Sequence, residues 1–130
     1  MSINTHFLTI NGLVSSLFNL KLFFMKLDAT TGSIITEERA RKLITSFAIK
    51  YKDEINSSFI GSDNVQHILK QEGCVGLRIY NGYDDENKKM NLVLVGVDES
   101  GKEMLQDGII YDELSQCPPI CTIEGALLNK

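Results

Sequence analysis

The chain has 130 residues, 43% of them hydrophobic and 23% charged, which excludes a globally disordered chain and a collagen-like fibre. Seventeen acids against thirteen bases give a net charge of −4 and a pI near 5.1, which argues against a nucleic-acid domain built round a basic face. No uncharged stretch reaches the roughly eighteen apolar residues of a membrane span, so neither nucleic acid nor a membrane is an expected partner.

Residues 1–24 stand apart. All seventeen acids lie from Asp28 onward, and four of the six Phe (Phe7, Phe18, Phe23 and Phe24) fall ahead of it. Met1 to His6 carries no Lys or Arg, so the basic start of a signal peptide is missing. Phe7, Ile10, Leu13, Val14, Leu17, Leu20 and Phe24 approximate helical spacing, while Phe18, Leu20, Leu22 and Phe24 alternate like a strand. The segment reads as an apolar appendage to a single domain over 25–130. Met25 offers a second start, with residues 1–24 then outside the native chain.

A helix is expected next. Thr36 is a good N-cap, and Glu37 and Glu38 suit the positive end of the helix dipole. Ala40, Leu43, Ile44, Phe47, Ala48 and Tyr51 then recur at spacings of three and four, one apolar face over about four turns. After a short stretch from Ser57 to Ile60, Ser62 or Asp63 caps a second helix with Val65, Ile68 and Leu69 inward. Gly73 fits the left-handed position that ends helices.

Beyond Gly73 the period changes to two. Val75, Leu77 and Ile79 alternate with Gly76, Arg78 and Tyr80, a strand with one buried face. Asn81-Gly82 opens a polar loop that runs through Lys89. Met90 to Val97 is near-continuously apolar and reads as the central strand. Asp98 to Gly101 turns, Lys102 to Leu105 returns as a strand, and Asp107-Gly108 turns again before Ile109 to Tyr111. Two prolines keep Cys117-Pro118-Pro119-Ile120-Cys121 out of any central strand. The pattern predicts an α+β domain, two helices packed on one face of an antiparallel sheet of three or four strands. Leu92 and Leu94 then face one way and Val93, Val95 and Val97 the other. Two helices cover one of those faces, so a protein partner or a homodimer is expected through the sheet, unless the front segment covers it.

Soft-ligand chemistry is confined to Cys74, Cys117 and Cys121. Three converging thiolates, with His67 as a fourth ligand, would hold zinc or an iron–sulfur cluster. Cys117 and Cys121 alone would make a disulfide or redox pair. The bland alternative is structural thiols in a reducing compartment, and an odd cysteine count speaks against a secreted disulfide framework. The acidic runs Asp84-Asp85-Glu86-Asn87 and Asp98-Glu99-Ser100-Gly101 lack the spacing of a calcium loop. Nothing in the chain matches a phosphate-cradling glycine loop, a nucleophile elbow or an HExxH pair, so no catalytic residue is expected.

Gly73-Cys74-Val75-Gly76-Leu77-Arg78-Ile79-Tyr80, Leu92 to Asp98 and the CPPIC run together resemble a group of small uncharacterised proteins from Bacteroidetes bacteria. The resemblance covers about Ile35 to Cys121. It implies a bacterial, cytoplasmic protein and transfers no catalytic residue. A fainter likeness is to A-type iron–sulfur carriers, through the Gly-Leu-Arg strand and two late cysteines. Here, however, Cys74 precedes the strand, and the late pair is CPPIC rather than Cys-Gly-Cys. The expected function is a small non-enzymatic interaction or accessory protein; the alternative is a thiol-dependent metal-binding or redox protein using Cys74, Cys117 and Cys121.

Overall fold

The structure, a computed structural model, describes residues 27–122 and 127–128. The expectations for residues 1–24, appendage, start site and helix-or-strand type alike, lie outside the described residues. Within them the chain is α+β, with helix α1 (Glu37–Lys50), strand β1 (Ser57–Phe59), helix α2 (Ser62–Leu69), and strands β2 (Cys74–Asp84), β3 (Lys89–Asp98), β4 (Ile110–Tyr111) and β5 (Ser115–Cys117). There are two antiparallel sheets, β2-β3-β4 and β1-β5. No helix among the described residues is long and apolar enough to cross a membrane.

The two helices are unequal. Thr36 caps α1, its Oγ1 accepting from the Arg39 N–H at 3.1 Å, and Glu37 pairs with Arg41 one turn on at 2.8 Å. Yet α1 buries no residue, and Leu43 keeps 49% of its surface exposed. Helix α2 is shorter but better seated, with Ile68 fully buried. Its cap is neither Ser62 nor Asp63 but the residue before them: Gly61 holds the N-cap position and supplies no side-chain bond, and Ser62 is the first helical residue. Gly73, at φ +85°, then turns the chain into β2.

Strands β2 and β3 form the longest ladder, and it overruns the loop expected over Asn81 to Lys89. Pairing continues through Asn81↔Leu92, Gly82↔Asn91, Tyr83↔Met90 and Asp84↔Lys89. Gly82 makes this close approach feasible, because a Cβ there would lie 2.8 Å from the Asn91 carbonyl oxygen. The reversal falls instead at 85–88. There the Asp84 carboxylate accepts from the Glu86 and Asn87 N–H groups at 3.0 and 3.1 Å, and Lys88 takes a left-handed φ of 53°.

The strand expected at Lys102 to Leu105 shrinks to one bridge, Val97↔Glu103. Asp98 accepts from the Ser100 and Lys102 N–H groups at 2.9 and 3.0 Å, which tightens the turn. The third position in the sheet goes to β4, where Tyr111 pairs with Leu94 and Ile110 with Val95. Leu94, Val95 and Val97 are all buried, so both faces of that half of β3 are covered.

Ile68 therefore carries more of the packing than any residue of α1. Ile68→Ala is expected to cost about 2–5 kcal/mol through the cavity it leaves. Leu43→Ala is expected to cost less than about 1 kcal/mol. Urea unfolding of the two variants checks the contrast.

Candidate functional site

The CPPIC corner is a disulfide corner. It follows β5 directly, with cis peptide bonds at Cys117-Pro118 and Pro118-Pro119. Cys117 is buried. It is bonded to Cys121, their Cα atoms 4.9 Å apart. The Asn56 N–H donates to the Cys117 carbonyl at 2.9 Å, and Ile120 N–H to the Gln116 carbonyl at 2.9 Å.

The other two sulfur and nitrogen candidates are held elsewhere. Cys74 is a free thiol at the start of β2, its Sγ donating to the Gly76 carbonyl at 3.4 Å. His67 Nδ1 shares a 2.8 Å hydrogen bond with the Tyr111 hydroxyl, which ties α2 to β4. The structure thus brings Cys117 to Cys121 and does not gather Cys74 and His67 with them. Among the described residues no group of three or more His, Cys, Asp and Glu is arranged to hold a metal ion.

A polar cluster that the sequence does not advertise lies on the sheet. Paired residues share a face, so Arg78, Tyr80, Val93, Val95 and Val97 lie on one side of β2-β3, and Leu77, Ile79, Tyr83, Leu92 and Leu94 on the other. Glu103, opposite Val97 across the outer side of β3, draws two groups toward it. The Tyr80 hydroxyl donates to its Oε1, and Arg78 Nη1 reaches the same oxygen at 3.2 Å. Arg78 Nη2 also donates to the Gly101 carbonyl at 3.4 Å. The Tyr80 hydrogen bond, and after it the Arg78 pair, hold the Glu103 carboxyl below the usual glutamate range. The same bond to Glu103 raises Tyr80. The acidic runs are turn chemistry too: hydrogen bonds from Asn87 lower Asp84, and those from Ser100 and Lys102 lower Asp98.

The third feature is an edge. Strand β2 ends the three-stranded sheet, with β3 on one side and no strand on the other among the described residues. It is eleven residues long, against the two residues of β4 at the opposite edge. Ile79, Tyr80 and Tyr83 are 56%, 47% and 58% exposed along it. The tyrosines do not form one patch: Tyr80 and Tyr83 are on opposite faces, and Tyr111 joins the Tyr83 side through its pairing with Leu94. Sequence periodicity finds the strand but not its edge position, because strand order is set by contacts distant in sequence.

The chain matches no protein-family model, no curated protein and no solved structure.

The Tyr80–Glu103–Arg78 cluster makes stability pH-dependent in both directions. Glu103 is depressed in the fold, so its contribution is present above the ordinary glutamate value and is lost as pH falls through the folded value. Tyr80 is raised, so its contribution is present below the ordinary tyrosine value and is lost as pH rises through the folded one. The urea midpoint is expected to be flat near neutrality and to fall below about pH 4 and above about pH 10. Glu103→Gln is expected to lower the plateau and flatten the alkaline limb. The acid limb survives in part through Asp84 and Asp98. Urea titrations across pH check this.

Proposed function

We propose that the protein is a small non-enzymatic interaction module that takes an extended chain along the free edge of β2. One observation carries the reading: among the described residues β2 is a long sheet edge with three large exposed side chains on it. An open edge offers unpaired N–H and C=O groups, which a partner strand can satisfy while side-chain pockets supply selectivity. The exposed Ile79 and Tyr83 lie two apart from Asn81 on one face, the spacing at which a paired strand presents its own side chains. Selection of displayed ten-residue peptides against the immobilised protein tests this. The expected result is an alternating apolar consensus, with slowed amide exchange over 74–84 in the complex. No selected peptide, or peptides that bind Ile79→Lys as well as the unaltered protein, would overturn the reading.

A second reading is favoured by the bonded state of Cys117 and Cys121. In it the pair is a thiol–disulfide couple: an external dithiol gives two electrons and two protons, the S–S bond breaks, and two thiols form. In the cytoplasm implied by the sequence resemblance, such a bond is transient and redox-active rather than structural. Once reduced, the two sulfurs also become thiolate donors, the state in which zinc or iron could be held. Thiol counting is expected to give one thiol, Cys74, in the denatured oxidised protein and three after reduction. Metal analysis of both states then separates the redox form of this reading from the metal-binding form. Three free thiols without reduction, and no bound metal, would remove it.

A further inference from the structure

We infer that the Cys117–Cys121 bond is opened at Cys121, by the thiolate of a cysteine carried in an apolar peptide segment, with Cys117 as the sulfur that leaves. The inference rests on the thiol–disulfide reading above and adds the point of entry and the class of reductant.

The two bonded residues are held differently. Cys117 is the last residue of β5 and is paired with Ser57 of β1. Its carbonyl accepts from the Asn56 N–H at 2.9 Å, and it keeps only 7% of its surface exposed. Cys121 lies outside any strand, just after the turn that the Ile120 N–H closes on the Gln116 carbonyl, and is partly exposed. An attacking thiolate bonds to a sulfur from the side opposite the S–S bond, so access decides which sulfur is attacked. Burial and strand pairing leave little room for that approach at Cys117. Cys121 is the reachable end.

The exchange then has a fixed order. The incoming thiolate bonds to Cys121 Sγ, the S–S bond breaks, and its electron pair goes to Cys117 Sγ, which takes up a proton. A mixed disulfide stands at Cys121. A second thiolate of the same reductant attacks the reductant's own sulfur in that bond, and Cys121 leaves with the electron pair and is protonated. The reductant has given two electrons and two protons and ends as a disulfide, and the protein ends with two thiols.

The surroundings of Cys121 select among reductants. Between the two cysteines Pro118, Pro119 and Ile120 are all exposed, Ile120 by 69%, and none of them carries a charge. Pro118 also walls a groove of about 320 Å³ with Ala48, Ile49 and Tyr51 from the C-terminal end of α1. Lys52 and Glu54 line the same groove, one base and one acid, so their charges cancel. Glutathione, with two carboxylates and one ammonium, brings a net negative charge to a corner with no surplus base to receive it. Leu or Ile beside a peptide cysteine instead buries apolar area against the Pro-Pro-Ile surface and the groove next to it.

The full-length oxidised protein tests both parts. It is mixed with a peptide carrying one cysteine between leucines, with the same peptide carrying aspartates in place of the leucines, or with glutathione. Each reaction is quenched with N-ethylmaleimide at early times, and the adducts are mapped by mass spectrometry. The first adduct is expected on Cys121, with the maleimide on Cys117. At equal thiolate concentration the leucine peptide is expected to react about tenfold faster, or more, than the other two thiols. A first adduct on Cys117, or no adduct from any of the three, would overturn the inference. Rates as high with the aspartate peptide or glutathione would overturn the apolar-peptide class. Three free thiols before any reductant is added refute the thiol–disulfide reading itself. One thiol before full reduction and three after it, with the adduct on Cys117, leave that reading standing and refute only the point of entry.

Discussion

The arrangement depends on the room that Gly96 leaves for Ile68. A Cβ at Gly96 would sit 3.1 Å from Ile68 Cγ2, 3.1 Å from Cys74 Sγ and 2.8 Å from Gln71 Nε2. Helix α2, the turn after it and the first residue of β2 all meet β3 at that point. A side chain at 96 would have to displace the end of the Gln71 side chain and shift Ile68 and Cys74 by a few tenths of an ångström. Because the glycine lets the helix in, Ile68 is fully buried, Leu94 is buried on the same face of β3 as Gly96, and His67 comes within reach of Tyr111 on β4. The described core is small, so the fold leans on the long β2-β3 ladder for what apolar burial does not provide.

A polar residue joins the second sheet to the first. Gln116 is buried, and its Nε2 donates to the Met90 carbonyl at 2.8 Å. A buried amide without that acceptor would cost more than the bond itself returns, so the contact fixes where β5 sits relative to β3. The disulfide corner follows immediately. The position of Cys117 and Cys121 is thus set by a hydrogen bond between sheets as much as by the prolines between them.

Local chemistry was readable in the sequence where it decided the outcome. The Thr36 cap, the left-handed turn at Gly73 that leads into β2, the change of period after it and the opposed faces of Leu94 and Val95 all follow from neighbours within a few residues, although α2 itself stops earlier, at Leu69. The Asn81-Gly82 pair misled for a physical reason: the same glycine that permits a tight turn also permits a close strand crossing, and only the partner strand decides which. Lys102 to Leu105 has strand character, but Asp98 folds the chain back so tightly that one bridge forms and the chain departs. The β1-β5 pairing, the Arg78–Glu103 contact and the edge position of β2 join residues far apart, and no periodicity encodes them. Of the cysteine set, the Cys117–Cys121 pairing was accessible from a spacing of four, whereas the separation of Cys74 and His67 from it was not.

Edges of sheets are normally guarded by charge, proline or a bulge, and β2 has two of these devices in places where they protect little. Its register slips between Cys74 and Gly76, at the end already flanked by the Leu27 turn. Its one basic side chain, Arg78, is drawn across β3 to Glu103 and the Gly101 carbonyl, so its charge is held over the sheet instead of standing out along the edge. Asp84 is likewise turned into the 85–88 reversal. Between them Ile79, Asn81 and Tyr83 present one unguarded side, and no proline interrupts the run. An edge guarded by charge would leave that arginine free to stand along it, or carry a lysine at Ile79. The cluster at Glu103 does the opposite, and in doing so it links the stability of the sheet to the openness of its edge.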